Sequence, residues 1–570
     1  MEVWIKNLIF SDNSEVAFQK NDITIIVGPN NSGKSTALKE IDYLSRNPMF
    51  SGNVIKKLTY IKEGTEESLL DFLERNSKKY YSSNPLPTYT GFGFSIYENT
   101  AKNLWNSDNG LGELGNITTK ILTTEARLTA ANPAPNIAIT REPLTHPIHY
   151  LQIDDNIELE FSNYFKKAFG KDLVLNRNAG NEVPLHIGNR PIPKEGEDRV
   201  SLNYIKELEL LPKLQEQGDG MRSFVGVLLN TLTSIHSILL IDEPEAFLHP
   251  PQARLLGKMI TQDSQRHKQL FLSTHSSDFL RGVLDTNSKN VKILRIQRND
   301  NLNQISLLNN EDLKEFMQDP LLRHSNILDG LFHSKVIICE SDSDCRFYSS
   351  IFNSIYDDAQ LTIPDVMFIH CGGKHRIPLI IKALKKLNVD ISVITDFDVL
   401  NNINPLQIIV NNLGGDWNSV SSRWQVLKSR IEQIKPELET KHVKQKIYEI
   451  LETTHEVVFP QRNVIEINNI LRNTSAWSLA KKSGKSFIPA GDAFGAFNEI
   501  NEYFKNIGLY IVEGGELESF VRSIGNHGPK WVNEVLSSKD LSNDPELEIA
   551  REFVKKVVNF NRYTKTSKTR

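Results

Sequence analysis

An apolar, β-branched run that breaks abruptly into a glycine-rich loop constrains this chain more than any other feature. Residues 23–39 read ITIIVGPNNSGKSTALK. Ile23, Ile25, Ile26 and Val27 predict a strand buried on both faces, as in a parallel sheet. Gly28, Pro29, Asn30, Asn31, Ser32, Gly33, Lys34 and Ser35 then satisfy G-x-x-x-x-G-K-[ST] at every fixed position, and Thr36, Ala37, Leu38 and Lys39 suit a helix start. Such a loop turns backbone N–H groups toward phosphates, and the helix N-terminus adds partial positive charge. Lys34 is expected to reach the β/γ-phosphates and the Ser35 hydroxyl to bind Mg²⁺. Strand, loop and helix in this order predict an ATP site rather than a chance glycine turn.

Two further buried strands fit the same chemistry. Residues 238–241 are apolar and end in Asp242 and Glu243; residues 269–272 end in Ser273, Thr274 and His275. Polar residues at the C-terminal ends of parallel strands lie where open α/β sheets hold their ligands. Asp242 is expected to hold Mg²⁺ through water, Glu243 to orient or deprotonate the attacking water, and His275 to sense the γ-phosphate. Upstream, Gly218, Asp219 and Gly220 form a tight polar turn that leads into an apolar helix.

Composition narrows the class. A chain of 570 residues accommodates roughly three to five domains. Lys+Arg at 66 against Asp+Glu at 70 leaves no global basic field, so any contact with DNA must come from local patches. Cys339, Cys345 and Cys371 lack zinc-like spacing and predict thiols in a reducing cytoplasm. No apolar run approaches membrane-spanning length and the N-terminus lacks a signal pattern, so a cytoplasmic protein with no membrane partner is expected. Prolines at Pro133, Pro135, Pro143, Pro147, Pro184, Pro191 and Pro193 exclude one long helix over 132–200. That stretch reads as an insertion in the nucleotide-binding domain, with dimerisation as its candidate role.

A second α/β unit follows. Residues 334–339, 366–370, 391–395 and 509–512 predict strands. Glu340 and Asp344 follow the first, Asp396 and Asp398 the third, and Glu516 and Glu518 the fourth. Clustered carboxylates repel one another, and a hard dication such as Mg²⁺ or Mn²⁺ is their natural counter-charge. Two such ions would activate water and stabilise the leaving oxygen in phosphodiester hydrolysis. Residues 417–490 read as a helical insertion. Within it Lys481, Lys482 and Lys485 read as a solvated helix end in preference to a DNA-contacting surface. Residues 546–570 read as a basic C-terminal tail.

Several of these motifs resemble known families. GPNNSGKS, QGDGM, ILLIDEPEAFLHP and STHS resemble the Walker A, signature, Walker B with D-loop, and switch-histidine motifs of ABC-type ATPases, in the branch that includes chromosome-maintenance, RecF and OLD proteins. The resemblance implies that Gly218, Asp219 and Gly220 of one head complete the nucleotide site of another, hence a homodimer or higher homo-oligomer. Gln217 stands where the signature often has Ser, and Gln152 is the candidate Q-loop glutamine. ICESDSD and DFD resemble the two acidic motifs of Toprim domains, with Ser341 where Gly is usual. GELE resembles the late acidic motif of OLD-type Toprim domains, which implies a second metal on Glu516 and Glu518; by the same similarity Lys530 stabilises phosphorane charge.

The order of motifs resembles an OLD-family nuclease, similar to the Gabija nuclease subunit and to retron-associated OLD effectors. It implies an α/β chain with an ABC-type P-loop ATPase domain (1–325) followed by a Toprim nuclease domain (326–545). The implied function is an ATP-regulated, metal-dependent DNA endonuclease in anti-phage defence. Its implied partner is a retron reverse transcriptase with its branched DNA, or a helicase-like protein. The alternative is an ATP-gated DNA-binding or repair clamp of the RecF kind with an inactive Toprim scaffold.

Overall fold

The computed structural model describes residues 1–81, 87–108, 110–262, 268–286, 288–299, 302–308, 326–357, 361–386, 388–434, 440–472 and 476–559. The chain divides into two compact units, Met1–Phe332 and His333–Arg570. The first unit runs past the expected boundary at 325, because the 3₁₀ turn Asn326–Phe332 buries Ile327, Leu328 and Leu331 and Leu331 O accepts from Arg295 Nε at 3.3 Å.

A six-stranded sheet centres the first unit, in the order Leu302–Leu308, Val291–Asn299, Ile23–Val27, Gln269–Ser273, Ile238–Asp242, Thr119–Leu122. All pairings are parallel except the outer hairpin of Val291–Asn299 with Leu302–Leu308. Every residue of Ile23–Val27 and of Gln269–Ser273 is buried, as continuous apolar strands in a covered parallel sheet require. The helix Lys34–Arg46 buries Ala37, Leu38, Ile41 and Leu44, one stripe at helical spacing. That stripe joins Val3, Ile5, Leu8 and Phe10 of a separate three-stranded antiparallel sheet in one core. Residues 132–200 hold the helices Pro147–Ile153 and Asp155–Phe169 and an antiparallel pair, Asp172–Leu175 with Leu185–Gly188.

The second unit is built on four parallel strands in the order Val366–His370, Lys335–Cys339, Asp390–Thr395, Leu509–Ile511. Residues 417–490 supply the helices Asn418–Gln433, Thr440–Glu452, Gln461–Arg472 and Ala476–Ser483. The expectation of a tail from residue 546 is corrected. The helix Glu548–Asn559 buries Ala550, Val554, Val557 and Val558 in the core that holds Phe347 and Trp531, and Lys335 Nζ donates to Val557 O at 2.8 Å. Those apolar residues at helical spacing outweigh the charges between them. Residues 560–570 lie outside the described residues. No helix among the described residues is long and apolar enough to cross a membrane.

Candidate nucleotide and metal sites

The loop after Ile23–Val27 has the backbone that its glycines permit. Gly28 has φ +146°, and a Cβ there would stand 2.1 Å from Ile296 O, so no other residue fits. Lys34 is buried, with Nζ donating to Gly28 O at 2.8 Å and Pro29 O at 2.7 Å. The ammonium is thus held inside the loop that its motif would wrap around phosphates. Ser35 Oγ donates to Asp242 Oδ1 at 2.8 Å, and Ser273 Oγ donates to the same oxygen. The two groups expected to share Mg²⁺, one on the first turn of helix Lys34–Arg46 and one at the end of strand Ile238–Asp242, are therefore already in contact.

Glu243 and His275 are also brought together, with Glu243 Oε1 3.5 Å from His275 Nε2. Glu243 takes a left-handed backbone, φ +49°, and its N–H donates to Ser273 O at 3.0 Å. Burial, and then the charge of Lys34, lower the pKa of His275, which keeps its imidazole neutral near neutral pH. Gly218 and Asp219 are exposed. Gly220 abuts the loop after Asp242, where a Cβ would stand 2.7 Å from Phe247 O. Gln152, the Q-loop candidate, donates to Asn136 Oδ1 at 3.0 Å within the 132–200 segment.

Two residues of this site were missed in the sequence. Arg127 is fully buried, donates to Ser223 Oγ at 3.2 Å and also donates to Asp242 O. Glu245 Oε1 accepts from Thr274 Oγ1 at 2.7 Å and from His275 N at 3.1 Å, tying the Asp242 strand end to the His275 strand end. Burial pushes Glu245 up to about 7. Its place in the quoted DEPE motif was the available signal; Arg127 offered none.

In the second unit, Glu340, Asp396 and Asp398 converge from the ends of adjacent parallel strands, with ligand oxygens within 4.8 Å of one another. Asp396 N donates to Glu340 Oε1 at 3.1 Å. Asp398 Oδ1 is buried with no hydrogen-bond partner among the described residues. Burial, and then Asp396 and Asp398, push Glu340 up to about 8. Asp396 is pushed to about 7, first by burial, with Asp344 and Asp398 adding and Lys481 opposing. Carboxyls this reluctant to ionise, beside an unsatisfied buried oxygen, form a donor set that suits a hard dication.

Asp344 does not join that trio. It closes a capping box instead, where Ser341 N donates to Asp344 Oδ2 at 2.8 Å and Asp344 N donates to Ser341 Oγ at 3.3 Å, starting the helix Asp342–Tyr356. Ser341, which replaces the usual Gly, is thereby the N-cap. Burial, and secondarily the charge of Glu518, raise the pKa of Asp344. Glu516 and Glu518 form a second group with His527, again with ligand atoms within 4.8 Å. Glu518 Oε1 lies 2.7 Å from His527 Nδ1 and accepts from Gly528 N at 2.7 Å. Lys530 is exposed on the first turn of the next helix, Pro529–Ser538.

His527, Lys374 and Lys481 were missed as site residues. Lys374 Nζ lies 2.9 Å from Asp398 Oδ2, and Lys481 Nζ lies 3.1 Å from Asp396 Oδ2 and 3.9 Å from Asp398 Oδ2. Lys481 is thus not the solvated helix end expected of it. The G-G-K turn after Val366–His370 was the available signal for Lys374.

Comparison with known proteins agrees with this two-part organisation. Residues 331–398 match the family described as "Overcoming lysogenization defect protein-like, TOPRIM domain". Residues 141–281 match an "AAA domain" family whose description also names AbiEii toxin and Type IV TA system. A 172-residue segment is 27% identical to the OLD nuclease of Thermus scotoductus, covering 28% of this chain and 31% of that protein. Another of 73 residues is 34% identical to an uncharacterized protein of Methanocaldococcus jannaschii, covering 13% of this chain and 64% of that one. The chain thus spans less than two thirds of either relative's length. Among solved structures, the crystal structure of the SmcHead bound to the C-winged helix domain of ScpA aligns at 14% identity, covering 55% of this chain and 100% of that chain, with a TM-score of 0.35. The chain joins an AAA/ABC-type ATPase domain to an OLD-like Toprim domain, and in that pairing it matches the OLD-family nucleases.

Proposed function

We propose that this protein is an ATP-regulated, metal-dependent DNA endonuclease of the OLD type. The observation that carries the reading is the convergence of Glu340, Asp396 and Asp398, with ligand oxygens within 4.8 Å of one another and Asp398 Oδ1 buried without a hydrogen-bond partner among the described residues. These three would hold one Mg²⁺ or Mn²⁺, and Glu516, Glu518 and His527 a second. Ions bound there supply Lewis acidity and lower the pKa of water for attack on a phosphodiester. The chain's own groups do the rest. Asp344 fixes the turn that carries Glu340, through the cap at Ser341. Lys374 holds Asp398 in place. Lys530, exposed beside the Gly528 turn that pins Glu518, is free to approach a phosphate and stabilise its developing charge.

The first unit is the regulator. The loop from Gly28 to Thr36 would cradle the phosphates of ATP, with Ser35 and Asp242 on Mg²⁺. Glu243 and the neutral His275 would orient the attacking water. Gly218 and Asp219 are exposed, as a signature turn must be to complete the site of a second copy, so the working form is a homodimer or higher homo-oligomer. The biological setting in this reading is cytoplasmic anti-phage defence beside a retron reverse transcriptase with its branched DNA, or beside a helicase-like protein.

Supercoiled plasmid incubated with Mg²⁺ or Mn²⁺ tests the reading. Wild type is expected to nick it, with ATP altering the rate, while Glu340→Ala and Asp396→Ala leave it intact. Plasmid that stays uncut by wild type, alone and with its partner, refutes the nuclease reading. ATP-dependent retention of DNA under those conditions would instead establish the clamp.

A further inference from the structure

Lys481 comes from the helical insertion rather than from the Toprim sheet, and the backbone around it is unusually confined. Gly515 has φ +119°, and a Cβ there would stand 2.1 Å from Lys481 O. Gly484 has φ +57°, and its Cβ would meet Glu513 O at 2.2 Å. Lys485 N donates to Glu513 O at 2.8 Å, and Phe397 N donates to Gly515 O at 2.8 Å. Residues 396–398, 481–485 and 513–515 therefore interlock through main-chain contacts that only glycine allows at two points. The interlock aims Lys481 Nζ at Asp396 Oδ2, 3.1 Å away. A partly buried ammonium in that position opposes the repulsion among Glu340, Asp396 and Asp398. Lys374, by contrast, lies in the turn after Val366–His370 and pairs with Asp398.

We propose that Lys481 is a resident counter-charge of the Glu340–Asp396–Asp398 site, which the divalent ion must displace in order to bind; this rests on the metal-site reading above. An ammonium and a dication repel strongly at such separations, and both require the oxygens of Asp396. Lys481 is a positioning residue in this scheme. It keeps the carboxylates gathered before the ion arrives and sets the ion concentration at which loading occurs. Because it is carried by the helix Ala476–Ser483, seating of the helical insertion is coupled to metal loading. A partner that shifts this helix would change the metal requirement without touching a ligand.

The test is Mn²⁺ affinity, measured by electron paramagnetic resonance and calorimetry on the full chain. Four proteins are compared: wild type, Lys481→Met, Lys481→Arg and Lys444→Met, the last exposed on the helix Thr440–Glu452 of the same insertion. Removal of a competing charge is expected to tighten Mn²⁺ binding by about tenfold or more in Lys481→Met. Lys481→Arg and Lys444→Met should bind as wild type does. The Mn²⁺ concentration for half-maximal plasmid nicking should fall by the same factor in Lys481→Met. Unchanged or weaker Mn²⁺ binding in a Lys481→Met protein with a wild-type melting curve overturns the proposal. Should that variant fail to fold, Lys481→Gln, which keeps a hydrogen-bond donor, is read by the same criterion. Cleavage by wild type with unchanged affinity in the variants overturns this proposal alone. Tighter Mn²⁺ binding by Lys481→Met in a protein that cuts no DNA supports it while refuting the nuclease reading.

Discussion

Replacing Glu340 with Gln should stabilise the metal-free protein and weaken its response to the metal. Burial, and then Asp396 and Asp398, take Glu340 from 4.5 to about 8. A carboxyl raised in the folded state contributes stability that is fully present below its unfolded value and is lost as pH rises through its folded value. Across that window wild type loses up to about 1.4 kcal/mol per pH unit. The repulsion is shared with Asp396, itself at about 7, so a proton on one carboxyl relieves the other. A net loss of roughly 2–3 kcal/mol near pH 9 is the reasonable magnitude. Gln preserves the shape and the carbonyl oxygen that accepts from Asp396 N, but it cannot ionise. At about 2–4 °C per kcal/mol for a unit of this size, Glu340→Gln should melt about 4–12 °C above wild type near pH 9 in EDTA. The two should nearly coincide near pH 5. Saturating Mn²⁺ narrows or reverses the difference, because wild type gains the ion at Glu340, Asp396 and Asp398 by mass action while the variant keeps only the binding at Glu516, Glu518 and His527. Scanning fluorimetry across pH, in EDTA and in Mn²⁺, reads all of this. A melting difference that fails to grow with pH, or an equal Mn²⁺ gain in both proteins, would refute the reasoning.

Other consequences can be checked separately. Lys34→Ala should abolish the ATP-induced rise in melting temperature, and ATP should no longer modulate plasmid cleavage; unchanged control by ATP in that variant removes this loop as the regulator. Glu245→Ala should lose about 1–3 kcal/mol by stranding Thr274 Oγ1 and His275 N and slow phosphate release from ATP, whereas Glu245→Gln, which keeps the acceptor, should stay close to wild type in both melting and turnover. Gly515→Ala should cost at least about 2 kcal/mol, since strain at φ +119° adds to a clash with Lys481 O, and a chemical-denaturation midpoint will show it.

The ATP site was legible because its chemistry is local. Eight contiguous residues from Gly28 to Ser35 state the phosphate loop, and Asp242, Glu243 and His275 each end an apolar run. What periodicity missed was short or solitary. Thr119–Leu122 is a four-residue strand whose Lys120 interrupts the apolar pattern, so only its pairing with Ile238–Asp242 reveals it. Arg127 sits in a helix of unremarkable composition, and its function is a long-range hydrogen bond to Asp242 O. The terminal helix was hidden for the opposite reason. Arg551, Lys555 and Lys556 interrupt the apolar pattern there, while Ala550, Val554 and Val557 carry the helical spacing that buries it.

Lys374 and Lys481 are a more instructive miss, because the carboxylates that were recognised already implied them. A lysine on a helix ordinarily keeps its ammonium in water, which favours the solvated reading for Lys481. That preference inverts beside three partly buried carboxylates, whose like charges cannot be gathered without protons, a dication or other cations. The folded chain has no means of ensuring that a dication is present as it folds. Lysines from the Gly373 turn and from the helical insertion therefore serve as counter-ions that the sequence always carries. In the proposed reading the acidic motifs would hold the metal; the need to fold without it would explain why cations stand beside them, and why one of those cations is carried on an insertion.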